Sequence, residues 1–184
     1  MDQKGLLLKN QTYDNVILDI DSTLLYSSRE PLLEEKMDGG KITFRSFDDY
    51  EDVTMYVYYR PNLTRFLDLL AESHSFGIWS VGKKNYVDAI CKLLQITTEA
   101  CNGKQRRATF IYSWEHCIRE GYNILKPCSE CPFDPKTTVL IEDSPERCQN
   151  TDNIITVPRF EPTYDEEDED IESMLRDKTL YNLH

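Results

Sequence analysis

Residues 16–24 constrain the fold more than any other stretch, because an apolar run ends there in two carboxylates. The run at residues 16–18 is typical of a buried parallel strand, which carries continuous Val, Ile and Leu rather than alternating polar residues. Asp is disfavoured inside strands, so Asp19 and Asp21 mark where the strand ends and the chain turns. Ligands of open α/β sheets bind beyond the carboxyl ends of the strands. The stretch therefore predicts an α/β fold with two acids at its ligand-binding edge.

The acid pair has two interpretations. A helix cap or an Asx turn explains one aspartate after a strand, but it explains two of them poorly. Two neighbouring carboxylates repel each other unless a cation lies between them, and Mg²⁺ prefers such oxygen ligands. Asp19 and Asp21 are therefore candidate residues of a catalytic metal site, with structural capping as the alternative.

Length and charge limit the class of protein. Residues 1–184 fit a single domain with a hydrophobic core. The net charge of −12 argues against a duplex nucleic acid as partner, since such binders usually carry a basic face. No apolar run approaches the length of a transmembrane helix, and residues 5–8 are too few for a secretory signal. We therefore predict an intracellular, soluble protein.

The six cysteines are interpreted as buried apolar residues or free thiols, since a domain of this size needs no disulfides. Cys128 and Cys131 form a C-x-x-C pair, which is half of a zinc site if Cys117, His116 or Cys148 completes it. A lone pair without a clear second pair is weak evidence, so both interpretations stay open.

Strand and helix patterns alternate along the chain. Runs of β-branched and aromatic residues predict strands at residues 74–80, 109–112, 138–141 and 153–157. Apolar residues at helical spacing predict one helix after Pro61 and another at residues 84–95. The alternation predicts a mostly parallel, Rossmann-like sheet with helices on both faces. The acidic run at residues 165–170 is explained by a helix N-terminus, where acidic side chains are favoured.

An insert of about residues 33–58 follows the apolar run and its two aspartates. Residues 42–45 and 53–59 are rich in β-branched and aromatic side chains, and an acidic stretch separates them. This pattern predicts a short antiparallel β-ribbon.

Chemically useful side chains also stand at the ends of later elements. One such residue carries little information, but an acid pair, a hydroxyl, a lysine and a second acid pair form a consistent set. The additional members are Ser80 after the strand at 74–80, Lys126 in a predicted loop at 122–127, and Glu142 and Asp143 after the strand at 138–141.

This order resembles the haloacid-dehalogenase superfamily of phosphatases. The details resemble its branch of small phosphatases of the RNA polymerase II C-terminal domain, the NLI-interacting-factor-like phosphatases. The similarity covers about residues 14–176 in unbroken order. The matching motifs are ILDIDSTLLYSS at 17–28, YRP at 59–61, WSVG at 79–82 with Tyr86 and Asp88, EHC at 115–117, Lys126, and IEDSP at 141–145.

The resemblance implies a role for each group. Asp19 would attack phosphorus to form an aspartyl-phosphate, and Asp21 would serve as general acid and then as general base. Mg²⁺ would be held by Asp19, the backbone carbonyl of Asp21, and Asp143. Ser80 would donate a hydrogen bond to a phosphoryl oxygen, and Lys126 would offset negative charge.

The chain departs from the branch at several positions. Ser80 stands where the branch usually has threonine, and Lys126 is followed by proline and cysteine rather than by aspartate. Glu142 and Asp143 replace an Asp-Asn pair. The branch also has an arginine near the motif that residues 115–117 and Lys126 match, and Arg119 is slightly misplaced for that role. This departure puts the choice of substrate in doubt.

Two assignments have competitors. Lys83, Lys84 and Lys136 compete with Lys126 for the role of catalytic lysine, since most lysines are simply solvated. Glu142 is interpreted as an acid that orients the loop rather than as a direct metal ligand.

The resemblance also implies a substrate, because superfamily members place substrate-selecting caps where the ribbon lies. Here the insert is short enough to leave the cleft open to a peptide loop. In the branch, apolar ribbon residues hold a proline beside the phosphoserine. Five residues would line such a pocket or form a plain ribbon core: Ile42, Phe44, Val53, Met55 and Val57.

We therefore expect a Mg²⁺-dependent phosphoserine/phosphothreonine protein phosphatase. The RNA polymerase II C-terminal domain is a candidate substrate, and a nuclear location follows from the resemblance only. Two alternatives stay open: action on small phosphomonoesters or nucleic-acid phosphate ends, and a phosphopeptide-binding module without turnover. The short insert and the acidic charge favour a protein substrate.

Residues 101–107 match C-x5-R, the phosphate-loop pattern of cysteine phosphatases. That loop works by opening a helix, whose N-terminal amides bind phosphate and lower the thiol pKa. Here strand-forming residues 109–112 follow, so we interpret the segment as a basic surface loop.

Overall fold

The fold is described from a computed structural model, which covers residues 13–32, 38–46, 50–100, 105–162 and 177–183. The α-helices are α1 (Leu63–Ser73), α2 (Lys84–Leu93) and α3 (Thr179–Leu183). The strands are β1 (Asn15–Leu18), β2 (Leu25–Ser28), β3 (Gly39–Arg45), β4 (Asp52–Tyr59), β5 (Ser75–Trp79), β6 (Ile96–Thr97), β7 (Arg106–Arg107), β8 (Ile111–Tyr112), β9 (Ile118–Glu120), β10 (Asn123–Pro127), β11 (Thr138–Glu142), β12 (Cys148–Gln149) and β13 (Ile154–Thr156).

The central sheet has five parallel strands in the order β13-β11-β1-β5-β8. Strand β1 lies in the middle, with Val16 paired to Val139 of β11 on one side and to Phe76 of β5 on the other. The predicted α/β class and mostly parallel sheet are therefore confirmed. Because β1, β5 and β11 run in the same direction, the residues that follow them meet at one carboxyl edge of the sheet.

The two faces of this sheet are covered differently. Val16 and Leu18 belong to a core that also contains Leu67 of α1, Val87 of α2 and Leu180 of α3. The expected helical cover on both faces is thus found on one face only, among the described residues.

The opposite face carries Ile17 and Leu140, which pack with Trp79, Phe110 and Phe133. Cys128 and Phe133 in this cover come from the chain between β8 and β11, which forms short strands and 3₁₀ turns. Three prolines and the lack of helical spacing in that segment exclude a long helix there.

The predicted ribbon is a three-stranded antiparallel sheet, β2-β4-β3, which we call the ribbon sheet. The sequence indicated its two longer strands, and β2 is an addition because Leu-Tyr-Ser-Ser is too short to show a period. Residues 33–37 and 47–49 of the predicted insert lie outside the described residues, as do Cys101 and the acidic run at 165–170.

Lys126 lies in a strand, β10, and not in the loop that we predicted. Strand β10 pairs with β9 in antiparallel fashion and with β12 in parallel fashion, with Lys126 opposite Cys148. Pro127 argued against a strand in the sequence. A proline at the end of a strand, however, leaves most of its backbone hydrogen bonds intact.

Candidate active site

Three buried ionic side chains form what we call the lysine cluster at the carboxyl edge of the sheet: Asp19, Lys126 and Glu142. The ammonium of Lys126 lies 2.6 Å from Asp19 Oδ1 and 2.5 Å from Glu142 Oε2, and Lys126 is only 1% exposed. Burial would lower the pKa of Lys126, but the two carboxylates raise it above its ordinary value. The lysine therefore stays charged and fixes both acids in place.

Glu142 shares its charge environment with Asp19. Burial, followed by the charge of Asp19, raises the pKa of Glu142, and Lys126 opposes that shift. Its other oxygen accepts the Ser144 N–H at 3.2 Å. The sequence did not predict the hydrogen bond between Glu142 and Lys126. Two carboxyl groups thus share one ammonium, and a further cation bound beside them would favour their ionised forms.

Asp21 lies beside Ser80 and Tyr86. The Tyr86 hydroxyl donates to Asp21 Oδ1, and the Ser80 hydroxyl lies 3.5 Å from Asp21 Oδ2. Burial raises the pKa of Asp21 to about 6, the Tyr86 bond opposes this, and the charge of Asp19 adds to it. A carboxyl group with that pKa can hold and release a proton near neutral pH.

Ser80 is fully buried after β5, and its Oγ accepts the Gly82 N–H at 2.9 Å. This bond holds the hydroxyl in the turn between β5 and α2. Ser27 Oγ lies 2.9 Å from Tyr86 OH, so a short polar chain runs from the ribbon sheet to Asp21. Tyr86 belongs to one of the matching motifs, but that motif does not indicate its hydrogen bond to Asp21.

Carboxylate oxygens of Asp19, Glu142 and Asp143 all lie within 4.8 Å of one another. No other group of three potential metal ligands was found in the part of the chain that the structure describes. The backbone N–H of Asp143 donates to Thr23 Oγ1 at 3.0 Å, so Thr23 fixes the loop after β11. Clustered carboxylate oxygens fit a hard cation such as Mg²⁺.

The competing lysines lie elsewhere. Lys84 pairs with Asp88 at 2.6 Å on the surface, Lys136 is exposed, and Lys83 lies over the ring of Trp114. Among these four lysines, the structure brings Lys126 to the acids.

Arg119 and Arg159 differ in their contacts with the acidic edge. Arg119 lies on β9 and donates to the backbone oxygen of Gly121 at 3.1 Å. Arg159, which the sequence did not single out, lies 3.6 Å from Asp143 Oδ2 and also pairs with Glu161.

Arg60 is a further residue whose role the sequence did not reveal. It is 1% exposed and donates to the Thr23 carbonyl at 2.7 Å, to Asp177 at 2.9 Å, and to the Pro158 carbonyl. Arg60 therefore joins the loop after β1 to two later parts of the chain. An arginine beside a proline carries no pattern that would indicate this.

The five predicted pocket residues share one face of the ribbon sheet, since Ile42 pairs with Met55 and Phe44 pairs with Val53. Ile42 and Val57 are buried in the core, whereas the other three are half-buried. The Phe44 ring packs edge-on against Tyr86 with 5.7 Å between centroids. The half-buried end of this face therefore lies next to the tyrosine that contacts Asp21.

The five cysteines that the structure describes form no disulfide. Cys91, Cys117, Cys128, Cys131 and Cys148 are free thiols. None of the sulfurs belongs to a three-ligand group within the described residues. The end of the C-x5-R segment, Arg106–Arg107, is strand β7 paired with β6, and not the start of a helix.

The fold and this edge define an α/β protein with a buried acidic site beyond its parallel strands. The chain belongs to the NLI interacting factor-like phosphatase family, whose family model matches residues 15–180. The resemblance noted from the motifs is thereby confirmed.

Two relatives illustrate the similarity. The chain is 26% identical over 129 residues to CTD small phosphatase-like protein 3 of Caenorhabditis elegans, covering 70% of this chain and 41% of that protein. It is 24% identical over 166 residues to an RNA polymerase II C-terminal domain phosphatase of Schizosaccharomyces pombe, covering 84% of this chain and 22% of that protein. The chain thus spans less than half the length of either relative.

A solved structure shows the same fold. It is that of Fcp1, described as an essential RNA polymerase II CTD phosphatase, with a TM-score of 0.65 at 20% identity. The match covers 84% of this chain and 44% of that one. None of the helices in the described part of this chain is long and apolar enough to cross a membrane.

Proposed function

We propose that the chain is a Mg²⁺-dependent phosphoserine/phosphothreonine protein phosphatase that acts through an aspartyl-phosphate on Asp19. The observation that carries the proposal is the 2.6 Å contact between Lys126 and Asp19 at the carboxyl edge of the sheet. A buried carboxylate that accepts a hydrogen bond from a lysine ammonium is held in one orientation, which a nucleophile needs. Membership of a phosphatase family supports the class of reaction.

In the first step, an oxygen of Asp19 bonds to phosphorus while the bond from phosphorus to the serine oxygen breaks. Asp21 gives its proton to the departing serine oxygen. In the second step, Asp21 takes a proton from water, and the water oxygen displaces Asp19 from phosphorus. The products are a free serine hydroxyl and inorganic phosphate. A pKa of about 6 lets Asp21 serve in both directions.

The remaining residues handle charge. Lys126 offsets the negative charge of Asp19 and of the transferring group, and the Ser80 hydroxyl donates a hydrogen bond to a phosphoryl oxygen. Asp19, the backbone carbonyl of Asp21, and Asp143 would hold Mg²⁺, with Glu142 as the orienting acid. The bound ion would neutralise charge on the phosphoryl oxygens.

The substrate that we propose is a phosphorylated protein segment, with the C-terminal domain of RNA polymerase II as the candidate. The names of the relatives support this choice. The half-buried residues Phe44, Val53 and Met55 are the proposed pocket for an apolar residue beside the phosphoserine. A nuclear location is part of the same proposal.

The chemistry is tested with p-nitrophenyl phosphate in the presence of Mg²⁺ or of EDTA. We expect turnover that requires Mg²⁺ and is lost in Asp19→Asn. The matched control is Asp14→Asn, since Asp14 is an exposed aspartate at the amino end of β1. A folded protein with no Mg²⁺-dependent turnover would favour the binding module. A phosphopeptide panel that includes Ser-Pro heptads, with small phosphomonoesters beside it, tests the substrate class.

A further inference from the structure

Trp114 is a partly exposed aromatic residue on a braced turn. It is 38% exposed and lies in the 3₁₀ turn Trp114–His116, directly after β8. Ser113 and His116 bond to each other's backbone N–H groups across the turn, and the His116 ring stacks on Tyr112 at 4.0 Å. A rigid turn that presents a large ring to solvent is preorganised for contact with another molecule.

The turn is attached to the loop that carries Ser80. The Trp114 N–H donates to the Gly82 carbonyl at 2.9 Å, and the Gly82 N–H donates to Ser80 Oγ at 2.9 Å. Strand β8, which precedes Trp114, is the neighbour of β5, which precedes Ser80. Trp114 therefore lies on the same edge of the sheet as the candidate active site, and two hydrogen bonds fix its backbone relative to Ser80.

Lys83 completes this surface. Its ammonium lies 5.3 Å from the centre of the Trp114 ring, which is within cation–π range. Lys83 also precedes α2, the helix that carries Tyr86. We call Trp114 and Lys83 together the Trp114 platform.

We propose that the Trp114 platform is a specificity subsite that packs a proline or tyrosine ring of the substrate peptide near its phosphorylated residue. A flat indole binds another ring by stacking or edge contact. An alanine or aspartate side chain offers no ring for this contact. This subsite is separate from the pocket on the ribbon sheet, and it rests on the proposed function because it assumes a phosphopeptide substrate.

Binding is tested first, in the Asp19→Asn background so that no turnover occurs. The chain has two tryptophans, and Trp79 is fully buried, so quenching by iodide reports on Trp114. A phosphopeptide with proline or tyrosine beside its phosphoserine should protect Trp114 from iodide, and inorganic phosphate should not. Removing Trp114 by Trp114→Phe in the same background should abolish the protected signal. Equal protection by a peptide with alanine or aspartate at those positions would overturn the assignment.

Kinetics give a second, independent measurement. Trp114→Ala should lower the ratio of kcat/KM for the ring-bearing phosphopeptide to kcat/KM for p-nitrophenyl phosphate by about fivefold. Trp114→Tyr should restore most of that ratio, since it keeps an aromatic ring. The control is Tyr122→Ala, which removes a fully exposed tyrosine from the turn between β9 and β10.

The outcomes separate the two proposals. Absence of Mg²⁺-dependent turnover of p-nitrophenyl phosphate by the wild-type chain contradicts the proposed function, whatever the fluorescence shows. Normal turnover with an unchanged ratio in Trp114→Ala contradicts the subsite alone.

Discussion

The lysine cluster and the ribbon sheet lie near the same site and are built differently. In the cluster, every charged group is buried and meets its partner at a fixed short distance, such as 2.5 Å between Lys126 and Glu142. On the ribbon sheet, Phe44 and Met55 are half-buried and make apolar contacts that have no fixed direction. Directional bonds permit one arrangement of the reacting groups, whereas apolar contacts tolerate change. This difference fits the proposed roles, in which the cluster performs the chemistry and the ribbon sheet contributes to the choice of substrate.

The largest effect is expected from Lys126→Met, which leaves two buried carboxylates without their cation. Removing one partner of a buried ion pair costs about 3–5 kcal/mol in the free energy of unfolding. Loss of the positive charge beside the phosphoryl group should lower kcat for p-nitrophenyl phosphate on the order of 10³-fold. Urea unfolding and steady-state kinetics measure the two effects. Lys136→Met, at an exposed lysine, serves as control, and equal losses in both variants would contradict the assignment.

Ser80→Ala should have the next largest effect. It removes the acceptor of the Gly82 N–H and the hydroxyl beside Asp21. We expect kcat to fall by about 10²-fold, as when one donor to a developing oxyanion is removed. Ser80→Thr keeps the hydroxyl and should retain most of the activity. If both variants lose activity equally in a kinetic assay, space rather than the hydroxyl is what matters at this position.

The dependence of stability on pH tests Asp21. Burial is the main cause that raises its pKa from 3.8 to about 6 in the folded chain. The folded state therefore binds the proton more tightly, so this group contributes stability below pH 3.8 that is lost as the pH rises through about 6. Asp21→Asn removes the ionisation, so its stability relative to the wild type should increase between about pH 4 and about pH 7. Urea unfolding in EDTA across this range measures it, and a decrease would show that the carboxylate is stabilised in the folded state.

The smallest effect is expected on the ribbon sheet, from Phe44→Leu. A hydrophobic replacement of this kind should cost less than about 1.5 kcal/mol in unfolding free energy. The ratio of kcat/KM for a Ser-Pro phosphopeptide to that for p-nitrophenyl phosphate should fall about threefold, because an aromatic contact is lost. Thr43→Ala, on the opposite face of the same strand, is the matched control. A larger loss with the small substrate than with the peptide would place Phe44 in the chemistry instead.

Much of the cluster follows from pattern alone. In the cluster, Asp19 directly follows an apolar strand and Glu142 ends another, and parallel strands bring their carboxyl ends together. Lys126 was identified through the family motifs, although its strand was mistaken for a loop because of Pro127. Pairing with β9 and β12 overrides the local preference there.

Other features depend on contacts between distant parts of the chain. The bond from Tyr86 to Asp21 joins α2 to the loop after β1, and no periodicity encodes it. Burial of Ile42 and Val57 depends on how the ribbon sheet packs against the main core, so the pocket and core interpretations of these residues looked alike in the sequence. No sequence pattern links Trp114 to Lys83, because the two residues lie 31 positions apart in the chain.

Arg60 makes the geometry of the acidic edge depend on residues far outside it. Its guanidinium bonds to the backbone of Thr23 and is neutralised by Asp177, which precedes α3. A fragment cut before Asp177 would keep every proposed catalytic residue and still bury an arginine without its carboxylate, at a cost of about 3–5 kcal/mol. Proteolysis or truncation before Asp177 would therefore destabilise the folded chain without removing any proposed active-site side chain.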